Sequence, residues 1–142
     1  MTRLVIDTNV VLDLWLFQDS RCQVLRQALQ AGAVQLAGTP ALREELRQVL
    51  NRPTLQPWLL RAGRTAAEVL TDWDATAGLC LPPPAAPVRC RDPDDQKFID
   101  LAVAHRWALV SRDRAVLALR RRLLGLGVWV GPVWPGVSLA AD

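Results

Sequence analysis

Short apolar runs and longer helical patterns alternate along this chain of 142 residues. Runs such as LVI, from Leu4 to Ile6, have the length of buried strands, whereas the segments between the runs repeat apolar residues every three or four positions. This alternation is typical of βαβ units and predicts an α/β fold around a parallel sheet. The predicted strands are 3–7, 33–38, 107–111 and 128–130, and the predicted helices are 20–31, 40–50, 54–62, 64–77, 94–106 and 113–124.

Turn-forming residues mark the ends of these elements. Gly32 and Gly125 each follow a predicted helix, and Gly63 divides two helical stretches. The proline-rich connection at 81–93 is the least regular part of the chain and is short enough to be a loop. Since there is no internal repeat and the length suits one core, we expect residues 1–142 to form a single domain.

The composition excludes several classes of protein. Hydrophobic residues make up 51% and charged residues 22% of the chain, which is ordinary for a folded protein and wrong for a disordered one. No apolar run approaches the roughly 18 residues of a membrane span. Asp7 interrupts the N-terminal apolar stretch that a signal peptide needs, and the three cysteines lack metal-site spacing. We therefore expect a cytoplasmic protein that has no membrane partner.

The basic residues are nearly all arginine. The formal net charge is +3, and sixteen of the seventeen basic residues are Arg, with Lys97 the exception. The planar guanidinium suits phosphate, so the chain could bind a polyanion. A general bias of the sequence toward arginine explains the same count, so charge alone does not decide the function.

Two aspartates stand where predicted strands end. Asp7 directly follows LVI, and Asp113 comes just past ALVS. Ligands of parallel sheets bind outside the carboxyl ends of the strands, so both residues are candidates for a functional site. Asp is also a favoured helix N-cap, and that structural role would explain Asp113 equally well. For Asp7, the neighbours Thr8 and Asn9 compete for the capping role.

Two further acids lie on predicted helices and face inward. In ALREELRQVL, Glu45 lies at the edge of the apolar stripe. In DDQKFIDLAVAH, Asp95 is three residues before Phe98 and therefore heads the inward face. A carboxylate directed toward the core needs a partner. A favourable interaction with the helix dipole in the first turn would not explain why Asp95 faces inward. Asp100 lies on the outer side near Lys97, and we expect it to be a solvated surface charge.

The four acids could converge at one edge of the sheet. Without a cation such a cluster would be repulsive, and some of its members would have to stay protonated. Carboxylate oxygens suit Mg²⁺ or Mn²⁺, which can lower the pKa of a bound water and stabilise the oxygens of a phosphodiester. The cluster therefore predicts metal-dependent nuclease chemistry. A Rossmann or P-loop nucleotide site is excluded because no Gly-rich turn follows the first strand.

Four motifs occur in the order of a known family. IDTNVVLD, LREELRQVL, RDPDDQKFIDLA and LVSRD resemble the PIN-domain family, and most of all its VapC-like branch of toxins from toxin–antitoxin systems. The likeness extends from residue 4 to about 124. It implies a three-layer α/β/α sandwich with a central, mainly parallel sheet, and a Mg²⁺- or Mn²⁺-dependent endoribonuclease that cleaves RNA.

The resemblance also implies a role for individual residues. The polar residues that support the family's site match Thr8 or Asn9, together with Ser111, where the family usually has Thr. The family's catalytic and metal-binding acids match Asp7, Glu45, Asp95 and Asp113.

The third acid has two alternatives. RDPDD offers three aspartates, so Asp92 or Asp94 could replace Asp95 as the ligand. We prefer Asp95 for its inward phase and because Ala102 follows it by seven residues, as the family's small residue does.

A different class of function is compatible with the same motifs. The chain could be a catalytically inactive PIN-like domain that binds RNA or a partner protein. The complete set of acids favours the enzyme. Trp15 and Trp58 lie in segments that the family often uses for contact with an antitoxin or a second copy, so the resemblance adds an antitoxin protein and a homodimer as expected partners.

Overall fold

Five strands and eight α-helices form the fold along residues 2–136, the part of the chain that the computed structural model describes. The strands are β1 (Thr2–Ile6), β2 (Val34–Gly38), β3 (Ala77–Leu79), β4 (Ala108–Val110) and β5 (Val130–Gly131). The helices are α1 (Thr8–Trp15), α2 (Gln23–Gln30), α3 (Pro40–Leu50), α4 (Gln56–Ala62), α5 (Ala66–Thr76), α6 (Gln96–His105), α7 (Arg114–Leu117) and α8 (Arg120–Gly125). Short 3₁₀ turns precede three of them, at Ser20–Cys22, Pro53–Leu55 and Pro93–Asp95.

All strand pairs in the sheet are parallel, in the spatial order β3-β2-β1-β4-β5. β1 occupies the centre, where Leu4 pairs with Leu36 of β2 and Ile6 pairs with Val110 of β4. The predicted α/β fold with a parallel sheet is therefore confirmed.

Both faces of the sheet are covered. Leu4, Val5 and Ile6 are all buried although successive side chains of a strand point to opposite faces, and the three residues of β4 are buried as well. Helix α2 packs on β2, α6 on β1 and β4, and α8 on β5. The fold is the three-layer α/β/α sandwich that the resemblance implied.

Several predicted elements differ from the structure. Helix α1 was not among the predicted helices, and two further differences divide predicted helices. β3 begins at the residue after α5, inside the predicted helix 64–77, and it is a strand because Ala77 to Leu79 pair with the edge of β2. Its three residues carry no pattern of their own. The predicted helix 113–124 is divided into α7 and α8 because the N–H of Leu119 bonds to the carbonyl of Val116, a 3₁₀-type bond that interrupts the α-helical series.

The surface carries a few large apolar side chains. Phe17 and Trp58 are both about half exposed, and their rings meet edge to face with centroids 5.3 Å apart. Trp15, by contrast, is partly buried against the core. Along the described residues, no helix combines the length and the hydropathy that crossing a bilayer requires.

Candidate metal centre

The order of the strands creates a crevice at the carboxyl ends of β1 and β4. From β1 the chain passes to β2 and β3 on one side, then returns across the sheet to β4 and β5 on the other. Connections diverge at such a reversal and leave a cleft between the two strand ends. The N–H of Asp7 bonds to the carbonyl of Val110 at 3.2 Å, so the pairing of the two strands continues up to the cleft.

Asp7 is buried at the base of this cleft and has a protein donor on each oxygen. Its Oδ1 accepts from the N–H of Val10 at 2.9 Å, which makes it the N-cap of α1, and its Oδ2 accepts from the hydroxyl of Ser111 at 2.5 Å. Burial raises the pKa of Asp7, and the bond from Ser111 only partly offsets this. Asp7 is therefore both a helix cap and part of the cleft wall.

Ser111 joins the two strand-end aspartates. It is fully buried after β4, and its oxygen accepts from the N–H of Asp113 at 3.1 Å while its hydroxyl donates to Asp7. Asp113 in turn caps α7 by accepting from the N–H of Ala115 at 2.8 Å. The capping interpretation of Asp113 is correct. Capping engages its Oδ1 oxygen.

Asp92 and Asp95 enter the cleft from the 3₁₀ turn that precedes α6. Asp92 caps this turn by accepting from the N–H of Asp94 at 3.0 Å. Burial, followed by the charge and hydrogen bond of Asp113, raises the pKa of Asp95 to about 7. Oδ2 of Asp95 is buried and has no hydrogen-bond partner within residues 2–136. An oxygen in this condition is suited to a cation.

Three of these acids form a compact group. One carboxylate oxygen each from Asp92, Asp95 and Asp113 lies within 4.8 Å of the other two. Asp92 thus stands beside Asp95 in the group, whereas Asp94 lies on the wall of the cleft outside it. The signal that could have revealed Asp92 is its spacing, because residues three apart in a 3₁₀ turn lie on the same side.

Glu45 reaches the cleft from α3 but is not a member of the compact group. One of its oxygens accepts from the hydroxyl of Thr8, and the other forms an ion pair with Lys97 at 2.7 Å. Thr8 is buried, while Asn9 is exposed at the rim of the cleft. The structure therefore brings all the predicted acids to one cleft but divides them between two kinds of environment.

The cleft encloses about 210 Å³ and is strongly acidic. Arg52, just after α3, contributes a basic side chain to its wall. Neither Arg52 nor Lys97 was singled out from the sequence as a site residue, because their positions beside the acids arise from packing of α3 against α6. Six carboxylates line the cleft, those of Asp7, Glu45, Asp92, Asp94, Asp95 and Asp113.

The proline-rich connection is held to α6 by two polar side chains. Gln96 donates to the carbonyl of Val88 at 2.9 Å and accepts from the N–H of Cys90 at 2.6 Å. Asp100 accepts from the N–H of Ala86 and from Gln96, both at 2.9 Å. The expectation that Asp100 is a solvated surface charge was wrong, since it satisfies backbone groups of a segment that has no regular partner.

These residues fit a divalent metal ion. The donors are hard carboxylate oxygens, which Mg²⁺ and Mn²⁺ prefer. Burial, followed by repulsion from Asp113, raises the pKa of Asp95, and a cation in the cleft would offset that repulsion. The buried, unpartnered oxygen of Asp95 supplies a ligand atom that otherwise lacks a role. Asp92, Asp95 and Asp113 are the residues that could hold the ion.

Comparison with known proteins assigns the family. No curated protein matches the chain. A family model of the PIN domain, however, matches residues 3–115, which contain all of the acids described above. PIN domains are generally nucleases that use divalent metal ions, and the acidic group needed for that chemistry is present here. Because the match covers well over half of its length, the chain belongs to the PIN-domain family.

Proposed function

We propose that this PIN domain is a Mg²⁺- or Mn²⁺-dependent endoribonuclease that hydrolyses RNA phosphodiester bonds. The observation that carries the proposal is the compact group of Asp92, Asp95 and Asp113, in which one buried oxygen of Asp95 has no partner in the described chain. Asp7 and Glu45 complete the acidic wall. The proposal includes that residues 1–142 form a single domain and that the protein acts in the cytoplasm.

The chain's own residues have separable roles in this chemistry. Asp92, Asp95 and Asp113 would hold the ion, which would activate water and offset the charge of the phosphodiester. Ser111 holds the carboxylate of Asp7 in position, and Thr8 does the same for Glu45.

Arg52 and Asn9 lie at the wall and rim, where a phosphate and a sugar would enter. Asn9 is exposed and offers an amide to an incoming strand, whereas Arg52 offers a guanidinium. These two residues can contact the substrate without displacing any of the acids.

Cleavage of RNA by the purified protein tests the proposal. Single-stranded and structured RNAs are incubated with Mg²⁺, with Mn²⁺ or with EDTA. We expect cutting with either metal, no cutting in EDTA, and a loss of at least about 100-fold for Asp7→Asn and Asp113→Asn. Glu44→Gln is the matched control, because Glu44 is exposed on α3 and pairs with Arg47.

The outcome also decides between the enzyme and its alternative. RNA binding without cutting by the wild-type protein, with either metal, would favour the catalytically inactive RNA-binding domain. Asp7→Asn should still bind RNA, since the substitution changes the chemistry of the cleft and not its outer surface. An Asp7→Asn variant that cuts at the wild-type rate would contradict the proposed site.

We further propose a toxin role, with an antitoxin protein and a second copy of the chain as partners. This part rests on the likeness to VapC-type sequences. The exposed pair Phe17 and Trp58 offers an apolar surface for such contacts. Induced expression of the wild-type chain in bacteria should halt growth, and Asp113→Asn should not. Equal growth of both would contradict the toxin role and leave the nuclease proposal intact.

A further inference from the structure

Lys97 places a positive charge beside Glu45, one of the acids that line the cleft. It is the second residue of α6, and its ammonium lies 2.7 Å from Oε1 of Glu45 and 2.5 Å from the carbonyl oxygen of Asp94. The side chains of Lys97 and Glu45 are only 28% and 23% exposed, so the pair is shielded from solvent more than a surface ion pair is. An ion pair of this kind is stronger than its exposed equivalents.

Both oxygens of Glu45 are engaged by the protein. Oε1 binds the ammonium, and Oε2 accepts the hydroxyl of Thr8. A divalent ion that approached Glu45 would have to displace Lys97 or lie beside its positive charge. Either arrangement is unfavourable, because two cations repel and the displaced ammonium would lose two close contacts.

The compact group of acids has the opposite character. Asp92, Asp95 and Asp113 bring carboxylate oxygens within 4.8 Å of one another, and Asp95 retains an oxygen without a partner among residues 2–136. Within the described chain, no lysine or arginine side chain forms an ion pair with any of these three carboxylates. Glu45 therefore already has a cation from the protein, whereas the compact group of Asp92, Asp95 and Asp113 has none among the described residues.

From this division we infer that the cleft binds a single divalent ion, held by Asp92, Asp95 and Asp113, and that the ammonium of Lys97 takes the place of a second ion at Glu45. The inference rests on the proposed function, in which the cleft is a metal site. It makes Lys97 a positioning residue, which holds Glu45 and sets the number of ions that the enzyme takes.

Titration of the intact protein with Mn²⁺ tests this inference without an activity assay. Calorimetry and the electron paramagnetic resonance signal of free Mn²⁺ give the number of bound ions at pH 8. We expect one ion for the wild type and two for Lys97→Met, which keeps the length of the side chain and removes its charge. The double variant Lys97→Met with Glu45→Gln should return to one ion, and Lys97→Arg should stay at one.

A second measurement does not depend on altering Lys97. In the otherwise wild-type chain, Glu45→Gln should change Mn²⁺ affinity by less than about threefold, whereas Asp113→Asn should weaken it by at least about tenfold. Circular dichroism confirms that each variant is folded.

The failures of the two proposals are distinguishable. Two ions of similar affinity on the wild type would overturn the role of Lys97 and leave the metal site standing. One ion on both the wild type and Lys97→Met, or equal losses from Glu45→Gln and Asp113→Asn, would overturn it as well. A wild type that binds no Mn²⁺ would overturn the proposed function itself.

Discussion

At the scale of single residues, Asp95 shows how a functional site opposes stability. Burial and the neighbouring Asp113 raise its pKa from 3.8 to about 7 in the folded protein. Between these two values the unfolded chain loses the proton while the folded chain keeps it. The folded state then binds more protons, so the free energy of unfolding decreases as the pH rises from about 4 to about 7. Above about pH 7 the free energy of unfolding no longer decreases on account of Asp95.

Replacing Asp95 should therefore stabilise the metal-free protein at high pH. We expect Asp95→Asn to raise the free energy of unfolding at pH 8 by about 1 kcal/mol, once solvent screening of this half-buried group is allowed for. The gain should be smaller at pH 5. Urea unfolding in EDTA at both pH values measures it, with Asp94→Asn as the control. A difference between variant and wild type that is equal at both pH values would contradict the prediction.

Arg52 is the residue most suited to contact the substrate's phosphates. It is exposed, lines the acidic cleft and follows α3, so its guanidinium can meet a strand that enters there. We expect Arg52→Ala, in an Asp113→Asn background that prevents cleavage, to weaken RNA binding about tenfold at low salt. Fluorescence anisotropy of a labelled RNA measures the affinity.

The controls for Arg52 separate position from charge. Arg52→Lys should retain part of the affinity. Arg61→Ala removes the same charge from a residue that stacks over Trp58 at 4.9 Å and does not line the cleft. If Arg61→Ala weakens binding as much as Arg52→Ala, general charge and not the cleft determines affinity.

At the scale of elements, the irregular connection before α6 depends on the helix for its conformation. Gln96 and Asp100 satisfy backbone groups at residues 86, 88 and 90, and Asp92 lies two residues after the last of these. A segment without regular pairing needs such side chains, because unpaired buried polar groups are costly. The polar face of α6 thereby positions one of the proposed metal ligands.

Loss of Gln96 should consequently weaken metal binding. We expect Gln96→Ala to lower Mn²⁺ affinity about tenfold, since it frees the backbone just before Asp92. Calorimetry measures the affinity, and hydrogen exchange should show faster exchange at residues 86–92. Gln48→Ala is the matched control, because Gln48 is exposed on α3. Unchanged affinity together with faster exchange would show that the connection does not position Asp92.

The contact between β2 and α5 depends on a glycine. A Cβ on Gly38 would lie 2.4 Å from the ring of Trp73, which is buried. We expect Gly38→Ala to destabilise the protein by about 1–3 kcal/mol, because the indole has no room to move in a packed core. Gly125→Ala, at a helical position with no atom within 4 Å of the added Cβ, should be neutral or slightly stabilising. Equal thermal stability of the two variants would contradict this account.

At the scale of the whole molecule, we expect the acidic cleft to couple metal binding to folding. The six acids come from four separate parts of the chain, near residues 7, 45, 92–95 and 113, so they meet only in the folded state. An ion held by Asp92, Asp95 and Asp113 should therefore stabilise the whole fold. At 100 times its dissociation constant, Mn²⁺ should raise the free energy of unfolding by about 2.7 kcal/mol. Thermal unfolding with Mn²⁺ and with EDTA measures this shift, and Asp113→Asn should abolish it.

The sequence alone determined the fold class and predicted four of the six acids that line the cleft. Alternating apolar runs predict parallel strands because buried strands and amphipathic helices have different periods, and four of the five strands follow from that pattern. The same reasoning placed Asp7 and Asp113 at strand ends, and strand ends of a parallel sheet meet at one edge. Local chemistry was sufficient for these conclusions.

Only the tertiary structure decided how the acids divide. Lys97 and Glu45 are 52 positions apart, and their contact arises from the packing of α3 against α6. The place of Asp92 beside Asp95 required the 3₁₀ turn and the bonds from Gln96. Periodicity specifies which face a residue occupies, but the partner across that face is set by the packing of elements distant in sequence. That packing places the ammonium beside Glu45 and leaves the compact group of Asp92, Asp95 and Asp113 without a cation from the described chain.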